Sequence, residues 1–293
     1  MSTLYSKADS NIRKTWFLIT FFLFLVISLS WVFSYILEDQ SILLIGSAFS
    51  VFFSFSSFWF SDKIVLALSS AKLIEKQDNP ELYRLVENLC IASGLPFPKI
   101  YIIQDNQPNA FATGRDENHA VIAVTSGLLE KLERVELEGV IAHELSHIGN
   151  KDMLLGSAMV ALFGLVSNIS NYFLRINFRS RRDSSRNKNS VLVIFGILVA
   201  IIAPLIASLV RFAISRQREF LADASAALLT RYPEGLASAL EKISVYPESL
   251  KSASSATSHL YIANPLRGET ISSLFMTHPP VEERIRILRE MKN

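Results

Sequence analysis

The stretch Val135-Glu136-Leu137-Glu138-Gly139-Val140-Ile141-Ala142-His143-Glu144-Leu145-Ser146-His147-Ile148-Gly149-Asn150 decides how this chain is read. Val135, Leu137, Val140, Ile141, Leu145 and Ile148 recur at helical spacing, which predicts an amphipathic helix over 135–150. Side chains four apart lie on one face of a helix, so His143 and His147 point the same way and can share one metal ion. Neutral imidazole is a good zinc ligand, and Glu144 stands where it can take a proton from a water at that ion. The pattern points to a zinc hydrolase in which Glu144 is the general base and not a ligand.

Composition places this helix in a membrane protein. Of the 293 residues, 50% are hydrophobic, and the mean hydropathy is +0.30, both signs of membrane residence. Charge-free windows run from Thr15 to Leu37, Gln40 to Ser61, Met153 to Leu174 and Asn189 to Val210. Each is longer than the about 20 residues that a spanning helix needs. The third is the most polar, carrying Asn168, Ser170 and Asn171. Lys7, Arg13 and Lys14 precede the first in the manner of a secretion signal, but it is too long for one and a second span follows at once. A retained anchor is expected.

Cys90 is the only cysteine, which excludes an intramolecular disulfide and a thiolate zinc cluster. A net charge of +2 gives no case for nucleic acid as a partner. The one strongly basic run, Arg175 to Lys188, has no aromatic platform beyond Phe178 and reads as a solvated loop.

Between the hydrophobic windows the chain predicts helices packed on a small sheet, an α+β arrangement that is mostly helical. Pro80 to Ser93 reads as a helix, capped by Asp78 or Asn79 and stopped at Gly94. Lys99 to Ile103 and Ala120 to Thr125 read as strands, with Asn109 to Thr113 as a third and Gly114 to Asn118 as a turn. A short helix is expected to start near Thr125, before the two-histidine helix. The first two windows form a hairpin whose connection carries Glu38 and Asp39, whereas the flanks carry Lys and Arg. That bias puts the N-terminal tail and the region from Asp62 in the cytoplasm.

A catalytic zinc site with two histidines needs a third protein ligand and an open position. Arg216 to Asp223 offers two candidates, because Glu219 and Asp223 share a helix face. One carboxylate can bind metal while the other accepts a hydrogen bond from a ligand histidine's free ring nitrogen. The spacing alone is equally that of a solvated helix with acid–base pairs.

Taken together, Asn109-Ala110-Phe111-Ala112-Thr113-Gly114, Glu138 to His147, Arg216 to Asp223, and His278-Pro279-Pro280 resemble the HtpX family of membrane zinc metalloproteases. These proteases are relatives of the CAAX prenyl proteases. The resemblance includes the hydrophobic layout and so covers nearly the whole chain. It implies an integral membrane protein with about four transmembrane helices and a zincin-like cytoplasmic metalloprotease domain, with one zinc ion per chain held by His143, His147 and Glu219. It also implies that Asp223 supports the site and that His278 lies near it. The expected reaction is endoproteolysis of misfolded or damaged membrane proteins at the cytoplasmic face of the cell membrane.

The expected parts are an N-terminal transmembrane hairpin at 1–61 and the first part of the protease domain at 62–152. A second hydrophobic hairpin at 153–210 and the rest of the protease domain at 211–293 complete the chain. Because His147 and Glu219 must meet, the chain between them crosses the membrane twice or not at all. Two crossings would export the basic loop, against the usual preference.

His278 reads either as a turn residue before two prolines or as a donor to the tetrahedral oxyanion. His119 and His259 have no such company and read as exposed or structural. Asn109, Ala110, Phe111 and Ala112 resemble the edge strand against which related zinc proteases lay an extended substrate. Two rivals remain: a CAAX-prenyl-protease-like processing peptidase, and a non-catalytic, zinc-stabilised membrane scaffold. An intact Glu144 speaks against the scaffold, which needs no general base.

Overall fold

The computed structural model describes residues 4–160, 216–246, 249–253, 257–266 and 279–291. Its helices are α1 (Leu4–Ile36), α2 (Gln40–Trp59), α3 (Ser61–Leu68), α4 (Pro80–Ser93), α5 (Ser126–Lys131), α6 (Arg134–Gly149), α7 (Arg216–Thr230), α8 (Pro233–Val245) and α9 (Val281–Glu290). A further helical stretch covers 152–160. The strands are β1 (Lys72–Leu73), β2 (Lys99–Ile103), β3 (Ala110–Thr113) and β4 (Val121–Thr125). Helices thus predominate around one small sheet.

Local chemistry accounts for the boundaries around the sheet. The Asn79 side chain accepts the Leu82 amide at the start of α4, and Pro80 follows in the first turn, where its missing N–H costs nothing. Gly94 ends that helix at φ 70°, a left-handed conformation that a side chain disfavours. Thr125 closes β4 and caps α5 in one step, its hydroxyl accepting the Leu128 amide. Glu133 and Glu136 form a capping box at the start of α6.

The sheet runs in the order β1-β2-β4-β3. β2 and β4 are parallel, with Lys99 opposite Val121, while β3 is antiparallel to β4, with Ala110 opposite Val124. The short β1 pairs antiparallel to β2. β3 is therefore an edge strand.

The motif helix α6 lies at the centre of the body. Val140, Ile141, Leu145 and Ile148 are fully buried in a core shared with Leu85 and Val86 of α4, Ile100 and Ile122 of the sheet, and Leu236 and Leu240 of α8. Gly139 makes this packing feasible, because a Cβ there would come within 2.7 Å of the Leu236 backbone nitrogen. That close approach lets α8 press against the back of α6 and turns the histidine face toward β3 and α7.

The N-terminal hairpin has the opposite character. Phe24, Trp31, Leu44, Phe52 and Phe55 are exposed along α1 and α2, an outward apolar belt of the kind lipid covers. The two helices meet through Phe22 and Phe53, 5.8 Å apart, and where Gly46 lets the Ser30 side chain sit against its backbone. Among the described residues, Asp9–Ile36 is long and apolar enough to cross a membrane. Gln40–Ser56 with Ser61–Leu68, bent by 82°, makes at most a second span. The expected third and fourth spans lie outside the described residues apart from 153–160, as does the basic loop at 175–188.

Candidate active site

Three elements converge on one point. α6 brings the Nε2 atoms of His143 and His147 to 3.1 Å of each other. α7 brings Glu219, whose carboxylate oxygens lie 3.8 Å from His143 Nε2 and 3.7 Å from His147 Nε2. Tetrahedral zinc with ligands at about 2.0–2.1 Å spaces them about 3.3 Å apart, so a small inward movement of Glu219 suffices. These three residues form a cluster that can hold a metal ion.

Each histidine is braced from behind by a carboxylate, as metal-ligating histidines are. His143 Nδ1 lies 2.9 Å from Asp223 Oδ1, one turn beyond Glu219 on α7, near enough for an ion pair although the angle is not that of a regular hydrogen bond. Asp223 is gripped in turn by Arg284 of α9, whose Nε and Nη2 donate to its two oxygens at 2.8 and 2.7 Å. Arg284 is 2% exposed, and its third contact donates to the Ile262 carbonyl. His147 Nδ1 lies 3.1 Å from Asp152 Oδ2. Asp152 comes within reach because Lys151 adopts φ 57° and turns the chain back beneath the helix end.

Glu144 faces the same space from β3's side. Both its oxygens are buried without a hydrogen-bond partner of normal geometry. Burial raises its pKa to about 7, the Glu219 charge adds to this, and His147, Arg284 and the Ala112 backbone oppose it. A buried carboxyl with both oxygens unsatisfied is an unfavourable arrangement unless a water or substrate completes it. Beside it lies a groove of about 40 Å³, lined by Ala112, His147, Asp152, Gly156, Glu219 and His259 among others. That is room for about three waters, since one needs roughly 10–15 Å³.

Burial also pushes His143 below its ordinary pKa and keeps it neutral, although Asp223 pulls the other way. Asp223 is held at about 2: burial raises it, but the Arg284 charge and hydrogen bonds outweigh that. The donor set of two imidazoles and one carboxylate, each imidazole held by a second carboxylate, suits zinc.

A sequence profile of peptidase family M48 matches residues 76–292, which includes every residue of this cluster. The chain belongs to peptidase family M48. Its relatives include a Protease HtpX homolog of Dictyoglomus turgidum, 46% identical over 99% of this chain and 95% of that protein. Another is a Protease HtpX homolog of Thermococcus kodakarensis, 44% identical over 88% of this chain and 89% of that protein. The fold is similar to the crystal structure of S. mikatae Ste24p, with TM-score 0.50, 18% identity, and 97% of this chain and 67% of that chain covered. This M48 chain is a membrane-bound metalloprotease, and zinc is its metal.

The geometry distributes the other expected residues unevenly. Of the segment 109–112, Asn109 is tied to Ala263 through both its amide nitrogen and its oxygen. Ala110 accepts the Ile262 amide, and the Phe111 ring stands edge-on to Tyr261. Ala112 remains facing the groove. His278 lies outside the described residues. His119 is exposed beside Asp116, whereas His259 is half-buried at the groove wall, with Nε2 3.3 Å from the Gly156 carbonyl. Asp152 and Arg284 were not singled out in sequence. The only signal for Asp152 was its place five residues after His147. Arg284 sits in Glu282-Glu283-Arg284-Ile285-Arg286, which reads as an ordinary charged helix face.

Proposed function

We propose that His143, His147 and Glu219 hold one zinc ion per chain and that Glu144 is the catalytic base of peptide-bond hydrolysis. The observation that carries this is the meeting of three donor groups beside a buried carboxyl whose two oxygens have no hydrogen-bond partner of normal geometry. Bound zinc supplies Lewis acidity, which lowers the pKa of a water in the site to about 7 and polarises the scissile carbonyl. Glu144 takes the water's proton and holds it at a carboxyl oxygen until the leaving amine receives it. Burial raises the Glu144 carboxyl above the ordinary carboxylate range, which favours holding a proton, and a bound cation would oppose that shift.

Asp223 and Asp152 keep the two imidazoles in the tautomer that presents Nε2 to the metal. The substrate strand pairs with the free edge of β3 at Ala112. Asn109 faces β4 through its carbonyl and Ala110 faces away from it, so the two-residue period turns the Ala112 backbone pair outward. His278 donates to the tetrahedral oxyanion. A purely structural zinc site takes four protein ligands and needs no base, so a scaffold accounts for less of this arrangement.

The test is zinc-dependent cleavage of casein by the detergent-purified protein beside Glu144→Gln, with bound metal quantified in both. Cleavage falls by at least 100-fold in the variant while zinc stays bound. Equal rates would refute the assignment of Glu144.

The substrates inferred are misfolded or damaged membrane proteins, cut at the cytoplasmic face of the cell membrane. Four spans, the last two within 153–210, bring His147 and Glu219 to the same side. A cysteine introduced at Asn187 is then labelled by an impermeant reagent from outside; protection would favour a hairpin that does not cross.

A further inference from the structure

The site is also supported from outside the protease body, by the membrane helix α1. Asn11, near the start of α1, is 3% exposed. Its side-chain nitrogen donates to Asp152 Oδ1 at 2.7 Å and to the Asn150 carbonyl at 3.0 Å. Asn150 is the residue that ends α6, and Asp152 is the carboxylate behind His147. One amide group therefore uses both its protons to join the end of the motif helix to the residue that orients its second histidine.

We propose that Asn11 is a positioning residue for the metal site, so that seating α1 against the 150–152 turn fixes Asp152 and, through it, the ring of His147. This rests on the reading that His147 is a zinc ligand. The division of labour within Asp152 supports it. Oδ2 faces His147 while Oδ1 takes Asn11, with Arg218 at 3.4 Å from the same atom. A carboxylate held at one oxygen presents the other in a fixed direction, and fixing the direction of a ring nitrogen's acceptor fixes the ring. Only a nitrogen carrying two protons makes both bonds at once; a hydroxyl makes one and a carboxylate neither. Asn11 lies in the polar first turns of α1 and is buried, so its amide takes its partners from the protein and marks where α1 docks. The N-terminal helix is thereby part of the site's framework as well as an anchor.

The experiment uses the full chain in detergent and measures zinc affinity by competition with a chelator, alongside kcat and KM on casein. Asn11→Ala lowers zinc affinity about 10-fold, the lower range for loss of a ligand's supporting group. KM is unchanged, because nothing that touches substrate has moved. Asn11→Asp, nearly identical in shape, lowers affinity further, since its carboxylate faces that of Asp152. In an Asp152→Asn background, Asn11→Ala adds no further loss, because the route through Asp152 is already cut.

A parental affinity in both single variants would overturn the proposal. So would an equal cost of Asn11→Ala with and without Asp152. A parent that binds no zinc would instead sink the metal-site reading on which the proposal stands. If Asn11→Ala does not fold, the isosteric Asn11→Asp carries the test alone, compared with the parent at matched melting temperature.

Discussion

The two histidines of α6 are chemically alike and four residues apart, yet the molecule secures them in different ways. His143 is 1% exposed and backs onto Asp223, which Arg284 holds with two hydrogen bonds. Every member of that series belongs to the packed helices α6, α7 and α9. The His147 side chain is 16% exposed and backs onto Asp152, whose other oxygen is met by a neutral amide from the membrane helix and by Arg218 at 3.4 Å. The first support is a desolvated charge pair that holds together only while both partners are present. The second is buried as well, the Asp152 side chain being 7% exposed, but it is shared among a neutral amide, an imidazole and Arg218, so losing one partner leaves the others in place.

The sharpest way to break this comparison is to remove one support from each side. Arg284→Ala leaves the Asp223 charge buried and unpaired, a loss expected to cost about 3–5 kcal/mol of stability. Asp152→Asn keeps the shape, removes a buried charge whose cationic partner Arg218 stands 3.4 Å away, and is expected to cost about 1–3 kcal/mol of stability while weakening zinc binding about 10-fold. Denaturant melts of the two variants beside the parent measure the difference. Equal losses would show that the paired charge of Arg284 does not separate the two supports.

Much of this site was legible before any coordinates, and the reason is spacing. A ligand pair four apart on a helix, a base beside it and Glu219 four before Asp223 are local patterns, so the 3.6-residue period alone put them on common faces. The boundaries of α4, β2 and α6 were equally local, because caps, glycines and β-branched runs act within a few residues. Asp152, Arg284 and Asn11 act across the fold. Arg284 meets Asp223 over 61 residues of chain and Asn11 meets Asp152 over 141, and no period connects such positions. β1 escaped notice because two exposed residues carry no alternation. The covering of Ala110 by Ile262 escaped notice because it depends on how a distant segment returns to the sheet.

A smaller effect separates two carboxyls of the site by the sign of their shifts. Asp223 is depressed to about 2, so its contribution is present above its ordinary value of 3.8 and is lost as pH falls toward 2. Glu144 is raised from 4.5 to about 7, so the folded state holds its proton longer than the unfolded chain does. Its contribution is full below 4.5 and is lost as pH rises through about 7. Glu144→Gln removes that loss. The shift corresponds to about 3 kcal/mol, so the metal-free variant should melt roughly 6–12 °C above the metal-free parent at pH 8, with the gap closing by pH 4.5. An unchanged gap across that range would mean that Glu144 is not desolvated as the geometry describes. The residue proposed as the base is on this view a stability cost to the metal-free protein.

The smallest effect belongs to the turn that brings Asp152 to His147. Lys151 sits at φ 57°, where a Cβ crowds the following carbonyl at a cost of about 1–2 kcal/mol. Glycine removes that crowding but gives the unfolded chain more freedom to lose, which takes back about 0.5–1 kcal/mol. Lys151→Gly is thus expected to stabilise the protein by less than about 1 kcal/mol, read as a rise in melting temperature of at most about 4 °C. Zinc affinity should not change, because glycine adopts the same left-handed conformation and the Asn11 hydrogen bond to Asp152 is kept. A fall in affinity with unchanged melting would mean that the conformation of Lys151 directs the carboxylate, and the membrane helix would then matter less to His147 than its hydrogen bonds suggest.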